Sequence, residues 1–140
     1  MTQRHMQIGE VAEQTGLSLR TIRYYEEMGL VVPTARSAGG FRLYAEENVA
    51  RLQLIKRMKP LEFSLEESKD LLGVLDAIEA GPAADARVDL VGRLEMFHEA
   101  AMARVEDVRR QLTIAEEFAA ELNTEVERHK AMPNSAVTSG

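Results

Sequence analysis

Arg20, Thr21, Arg23, Tyr24 and Tyr25 fall within two helical turns of one another. That set suits a polyanion. A guanidinium forks onto guanine O6 and N7 or onto a phosphate, and Thr and Tyr hydroxyls reach phosphate oxygens. Arg36, Arg42 and Tyr44 follow around Ser37-Ala38-Gly39-Gly40 and could grip a nucleic-acid backbone beside the groove. Singly, each residue has an ordinary reading. Arg20 and Arg23 could be solvated charges on a helix face, and Tyr24-Tyr25 could be core-edge residues. One of the two rings is expected to pack inward with its hydroxyl exposed. As a group they point to nucleic acid. No nucleophile–base pair, phosphate loop or metal-ligand spacing stands beside them, so the chain reads as a non-enzyme with no cofactor and no metal site.

Charge supports the grouping once it is divided along the chain. The net charge of −6 argues against a polyanion. Residues 1–75, however, carry 10 basic and 10 acidic side chains, and residues 76–140 carry 7 and 13. Within 18–60 there are 8 basic residues (Arg20, Arg23, Arg36, Arg42, Arg51, Lys56, Arg57, Lys59) against 4 acidic. Local potential rather than total charge steers a polyanion.

The elements that must hold these residues are mainly α-helical. Residues 1–7 read as a polar arm. Ile8, Val11 and Ala12 start a helix that Gly16 stops, and Ser18 caps a second, short helix with Leu17 and Ile22 facing inward. A helix, a glycine-containing turn and a second helix make a helix-turn-helix candidate. Thr34–Arg36 and Phe41–Tyr44 flank the Gly-Gly turn as an exposed hairpin wing. Val49, Leu52, Ile55 and Met58 mark a third helix ending near Pro60. Ser64 and Glu67 form a capping box for a fourth, with Leu65, Leu71, Leu72 and Leu75. Gly81-Pro82 marks a break.

The last element is a long helix with a seam. Val91, Leu94, His98, Ala101, Val105, Val108, Leu112, Ala115, Ala119, Leu122 and Val126 alternate at spacings of three and four, and all but His98 are apolar. Such heptads predict a coiled coil, because each knob needs a hole on a partner helix. The stretch 91–126 is about 54 Å long as an α-helix, too long for the small head to cover, so a homodimer is expected. His98 reads as a polar position that fixes register, with a pH or metal sensor formed by two copies across a dimer axis as the alternative. The divisions are 1–75 for the head, 76–84 for a linker, 85–130 for the dimerisation helix and 131–140 for a frayed tail.

The chain has 140 residues and no cysteine, which excludes disulfides and thiolate metal sites. No apolar run is long enough to cross a bilayer, and no membrane partner is expected. A cytoplasmic, nucleoid-associated protein is the expectation.

Three stretches carry a resemblance: "IGEVAEQTGLSLRTIRYYEEMGLVVP" (Ile8–Pro33), "RSAGGFRLYAEENVARLQLIKRMK" (Arg36–Lys59) and "FSLEESKDLL" (Phe63–Leu72). They resemble the MerR family of bacterial transcription regulators. The resemblance implies a winged helix-turn-helix head, an antiparallel coiled-coil homodimer, double-stranded promoter DNA as partner and RNA polymerase at the same promoter. It implies Arg20, Thr21, Arg23 and Tyr24 in the major groove and Tyr25 at or behind the backbone. Arg36, Arg42 and Tyr44 would lie on phosphates, with a second wing near Lys59–Phe63. The family's mechanism is to bend and untwist an over-long promoter spacer. An architectural binder without effector, or a simple repressor, is the alternative.

Three residues depart from the family pattern. Glu62 stands where the family carries glycine, which predicts a second wing that is reshaped or contacts DNA less. Ala45 replaces a Ser or Thr cap, with the loss of about 1 kcal/mol. Ser68 stands where a branched apolar residue is usual, which predicts looser packing or a polar lining. Without cysteine the family's metal and redox effectors are excluded, and the 14 residues after Val126 are too few to enclose a pocket. An unidentified small effector would have to bind among the third, fourth and dimer helices or at the seam.

Overall fold

A computed structural model describes residues 4–132. The described elements are α1 (Ile8–Thr15), α2 (Leu19–Glu27), β1 (Ala35–Arg36), β2 (Arg42–Leu43), α3 (Glu46–Met58), a 3-10 turn (Lys59–Leu61), α4 (Leu65–Glu79) and α5 (Ala84–Ala131). The described residues are mainly α, with one two-stranded antiparallel hairpin among them.

The α1–α2 turn forms for local reasons. Gly16 takes φ 74°, which a glycine adopts without a Cβ clash, and its N–H donates to the Ala12 carbonyl at 2.9 Å. The Ser18 Oγ accepts the Thr21 N–H at 3.0 Å and caps α2. Buried Thr15 holds the turn from inside. Its Oγ1 donates to the Val11 carbonyl at 2.8 Å and accepts the Leu17 N–H at 3.2 Å. From α3, Lys56 Nζ donates to the Thr15 carbonyl at 2.8 Å and Gln53 Nε2 to the Gln14 carbonyl at 3.0 Å. The angle between the two helices is therefore tied to a third helix.

Strands β1 and β2 pair Ala35 with Leu43 and Arg36 with Arg42. The hairpin gains an unforeseen neighbour. Met6 and Tyr44 exchange backbone hydrogen bonds at 2.7 and 2.8 Å, and the Met6 side chain is buried. The polar arm expected over 1–7 thus ends before Met6. The free edge of the Tyr44 backbone and the apolar Met6 side chain together draw it into the head.

The core gathers Met6, Val11, Ile22, Tyr25, Leu30, Val31, Tyr44, Leu52, Ile55, Met58 and Leu72. Leu17 and Val49 pack on its margin. The missing cap at Ala45 is offset by Asn48, whose Oδ1 accepts the Ala45 N–H at 2.8 Å and the Thr34 hydroxyl at 2.7 Å. Its Nδ2 donates to the Val32 carbonyl at 2.9 Å. Asn48 so joins the wing's entry to the start of α3, with the buried amide's main hydrogen-bonding groups in use. The Ser64–Glu67 capping box forms in both directions, at 2.9 and 3.1 Å. Helix α4 runs on to Glu79, past the boundary expected at 75, so the break before α5 narrows to residues 80–83.

Glu62 takes up the left-handed conformation that a glycine there would adopt freely. Glu62 sits at φ 56°, ψ 35°, and its N–H closes the turn on the Lys59 carbonyl at 2.9 Å. The left-handed turn carries a side chain, at a cost of about 1 kcal/mol.

The protein divides into two compact units, 1–101 and 102–140, and α5 crosses the boundary between them. No residue of α5 is buried. Of the expected seam, Leu94, Ala101 and Val105 are half-buried. Val91, His98, Val108, Leu112, Ala115, Ala119, Leu122 and Val126 are exposed. Residues 133–140 of the expected tail lie outside the described residues.

Candidate nucleic-acid interface

Helix α2 separates its faces sharply. Ile22 and Tyr25 point into the core, while Arg20, Arg23 and Tyr24 are exposed and Thr21 is half-buried. The tyrosine pair splits as the helical period requires. Tyr25 is 6% exposed and Tyr24 47%, with ring centroids 6.0 Å apart and planes tilted by 52°. Tyr25 therefore supports α2 from behind and, contrary to the expectation, is too buried to contact DNA. Thr21 Oγ1 accepts from the Ser18 hydroxyl at 2.9 Å, which ties it to the helix cap.

The wing supplies Arg36 and Arg42 from directly opposed positions, both exposed. Arg36 Nη1 donates to the Gly40 carbonyl at 3.1 Å and braces the turn. Arg42 pairs with Glu26 at the end of α2. Arg23, Arg42 and the start of α1 line a hollow of about 140 Å³ on that side. Lys59 is exposed at the 3-10 turn.

Tyr44 is a correction. Its ring is 0% exposed, so it cannot lie on phosphate. Alternation along β2 puts residues 42 and 44 on one face, and the ring at 44 reaches the core. Its hydroxyl donates to Glu26 Oε2 at 2.7 Å. Burial first, then that hydrogen bond and the Glu26 charge, raise the Tyr44 hydroxyl far above its ordinary value of 10.0, with Arg42 and Arg23 opposing. The phenol stays protonated and remains a donor.

Glu26 is the functional residue that sequence reasoning missed. One carboxylate holds Tyr44 and Arg42 together, and so fastens the wing to α2. The available signal was the two-residue spacing of Arg42 and Tyr44 on a strand, which aims both at one acceptor.

A second cavity, of about 410 Å³, lies between α2 and the α3–α4 junction, with Arg20, Tyr24, Lys59 and Ser68 among its lining residues. The polar lining expected from Ser68 is present there.

A short helix-turn-helix with basic residues on its second helix, beside a basic hairpin, defines a winged helix-turn-helix nucleic-acid-binding protein. Residues 6–74 match the family model described as "MerR HTH family regulatory protein", and residues 49–124 match "MerR, DNA binding". The chain belongs to the MerR family. It is a DNA-binding transcription regulator. It is 36% identical over 105 residues to the mercuric resistance operon regulatory protein of Bacillus cereus, covering 75% of this chain and 70% of that protein. It is 44% identical over 72 residues to a ZntR homolog of Haemophilus influenzae, covering 51% of this chain and 53% of that regulator. The chain spans about half the length of most of the curated relatives it matches. Among solved structures it is similar to HiNmlR, a MerR family regulator lacking the sensor domain, bound to promoter DNA. The TM-score is 0.64 at 21% identity, over 86% of this chain and 92% of that one, a likeness of fold.

Proposed function

We propose that the chain acts as a homodimer on a pseudo-palindromic promoter site and regulates by bending and untwisting the promoter spacer, with RNA polymerase at the same DNA. One observation carries the reading. Helix α5 runs 48 residues with Leu112 57% and Leu122 51% exposed at heptad positions, while the head it follows presents Arg20, Arg23 and Tyr24 outward. A second copy packed antiparallel would cover that seam, and two heads joined by one coiled coil fix a half-site separation. In this reading the head through the end of α4 at Glu79 forms the DNA-binding domain and α5 the dimerisation helix. Arg20, Thr21, Arg23 and Tyr24 face the groove, and Arg36, Arg42 and Lys59 lie on phosphates. Deforming the duplex costs about 1–6 kcal/mol by elastic estimates, which these phosphate contacts offset.

A regulator bound at a promoter acts beside DNA in the cytoplasm. No described helix is long and apolar enough to cross a membrane. Transcription in vitro from a promoter with a lengthened spacer tests the mechanism. Stimulation by the dimer is expected. Loss of transcript would favour a simple repressor, and no change an architectural binder.

A further inference from the structure

The cavity between α2 and the α3–α4 junction has a makeup that DNA contact does not account for. Its volume of about 410 Å³ falls within the range of small-molecule sites. Ile55, Met58, Phe63 and Leu65 supply an apolar lining, and exposed Arg20 and Lys59 bring two cationic side chains to it. Ser68, only 5% exposed, completes the wall from α4. A serine among these apolar side chains leaves unfilled the volume that a branched aliphatic residue would occupy, and it adds a hydroxyl.

We propose that this cleft binds a small planar aromatic anion, its ring against Ile55, Met58 and Phe63 and its carboxylate toward Arg20 and Lys59. Charge complementarity selects the anion, and the apolar lining selects the ring. Arg20, Thr21, Tyr24 and Lys59 line the cleft and also belong to the proposed DNA-contact set, so ligand and DNA compete for them. The regulatory consequence rests on the DNA-contact reading above, whereas binding of the anion does not.

The probe is 2-naphthoate, titrated calorimetrically into the full chain. In parallel, affinity for a mixed-sequence duplex is read by fluorescence anisotropy at low ionic strength, with and without naphthoate. The wild type binds naphthoate, and naphthoate weakens its duplex binding severalfold. Ser68→Ile fills the cleft and weakens naphthoate binding roughly tenfold or more, while its duplex affinity without naphthoate equals that of wild type. Ser68→Val, a smaller intrusion, gives an intermediate loss, and far-ultraviolet circular dichroism establishes that both variants are folded. Naphthoate binding that is absent in wild type, or unchanged in both folded variants, overturns the site. Naphthoate binding that leaves duplex affinity untouched overturns the competition. Failure of the wild type to bind duplex without naphthoate instead strikes the DNA-contact assignment and leaves the calorimetric result standing.

Discussion

The N-terminal head and the C-terminal half of α5 solve the burial problem in opposite ways. In the head, four helices and a hairpin enclose Val11, Ile22, Tyr44 and Leu52 completely within one chain. Over residues 106–132 every side chain is exposed, Leu112, Phe118 and Leu122 among them. The first region is complete as a monomer. The second is a lone helix whose apolar heptads have nothing to pack on, and most helical stability in proteins comes from packing. A side chain in the head therefore answers to its neighbours along the same chain, and one on distal α5, in the proposed homodimer, would answer to a second copy.

That contrast is broken most directly at the seam. Leu112→Lys places an unpaired charge where the partner helix would pack, worth about 3–5 kcal/mol and more than a hundredfold in assembly. Sedimentation should find monomers with poor operator binding, and an intact dimer would end the two-copy account. Asn48→Ala strikes the head instead. It removes three hydrogen bonds, at about 1 kcal/mol each, and should lower the denaturant midpoint by the equivalent of about 2–3 kcal/mol with assembly untouched.

Arg23→Ala should disturb neither folding nor dimer. Operator affinity should fall by about 1–3 kcal/mol if Arg23 meets a base edge. A uniform loss over all sequences, with a shallower salt slope, would move it to phosphate. Unchanged operator affinity would remove α2 as the recognition helix. Glu62→Gly releases the left-handed strain and should stabilise the head by about 1 kcal/mol in thermal unfolding. No gain would mean that the turn carries no such strain.

The smallest effect concerns pH. Tyr44 is raised in the folded state, so its contribution to stability is fully present below the ordinary value of 10.0 and is lost as pH climbs above it. Tyr44→Phe should flatten that alkaline decline, read as the denaturant midpoint against pH. An identical decline in both proteins would assign it to other groups.

Much of this was legible in the residues. The Gly16 stop, the Ser18 cap and the Ser64–Glu67 box act within a few residues, and the structure forms each as the local chemistry requires. The division of α2 followed from the 3.6-residue period, which puts Ile22 and Tyr25, three residues apart, on one buried face and leaves Arg20, Arg23 and Tyr24 outside it. What was not legible depended on distant chain segments. Tyr44 has the same hydroxyl as Tyr24, and only the meeting of β2 with α2 commits it to Glu26. Met6 looked like part of an arm because its pairing partner lies 38 residues further on. Ala45 looked uncapped because the compensating Asn48 also serves Val32 and Thr34.

The linear order of residues by itself determined the helices, their caps, the basic tract and the heptad seam, because periodicity, capping and charge are properties of neighbours in the chain. Tertiary structure alone decided which hydroxyl is buried, which carboxylate joins the wing to α2, and that Glu62 bends left-handed. Those outcomes turn on burial and on hydrogen-bond partners brought together only when separate elements pack.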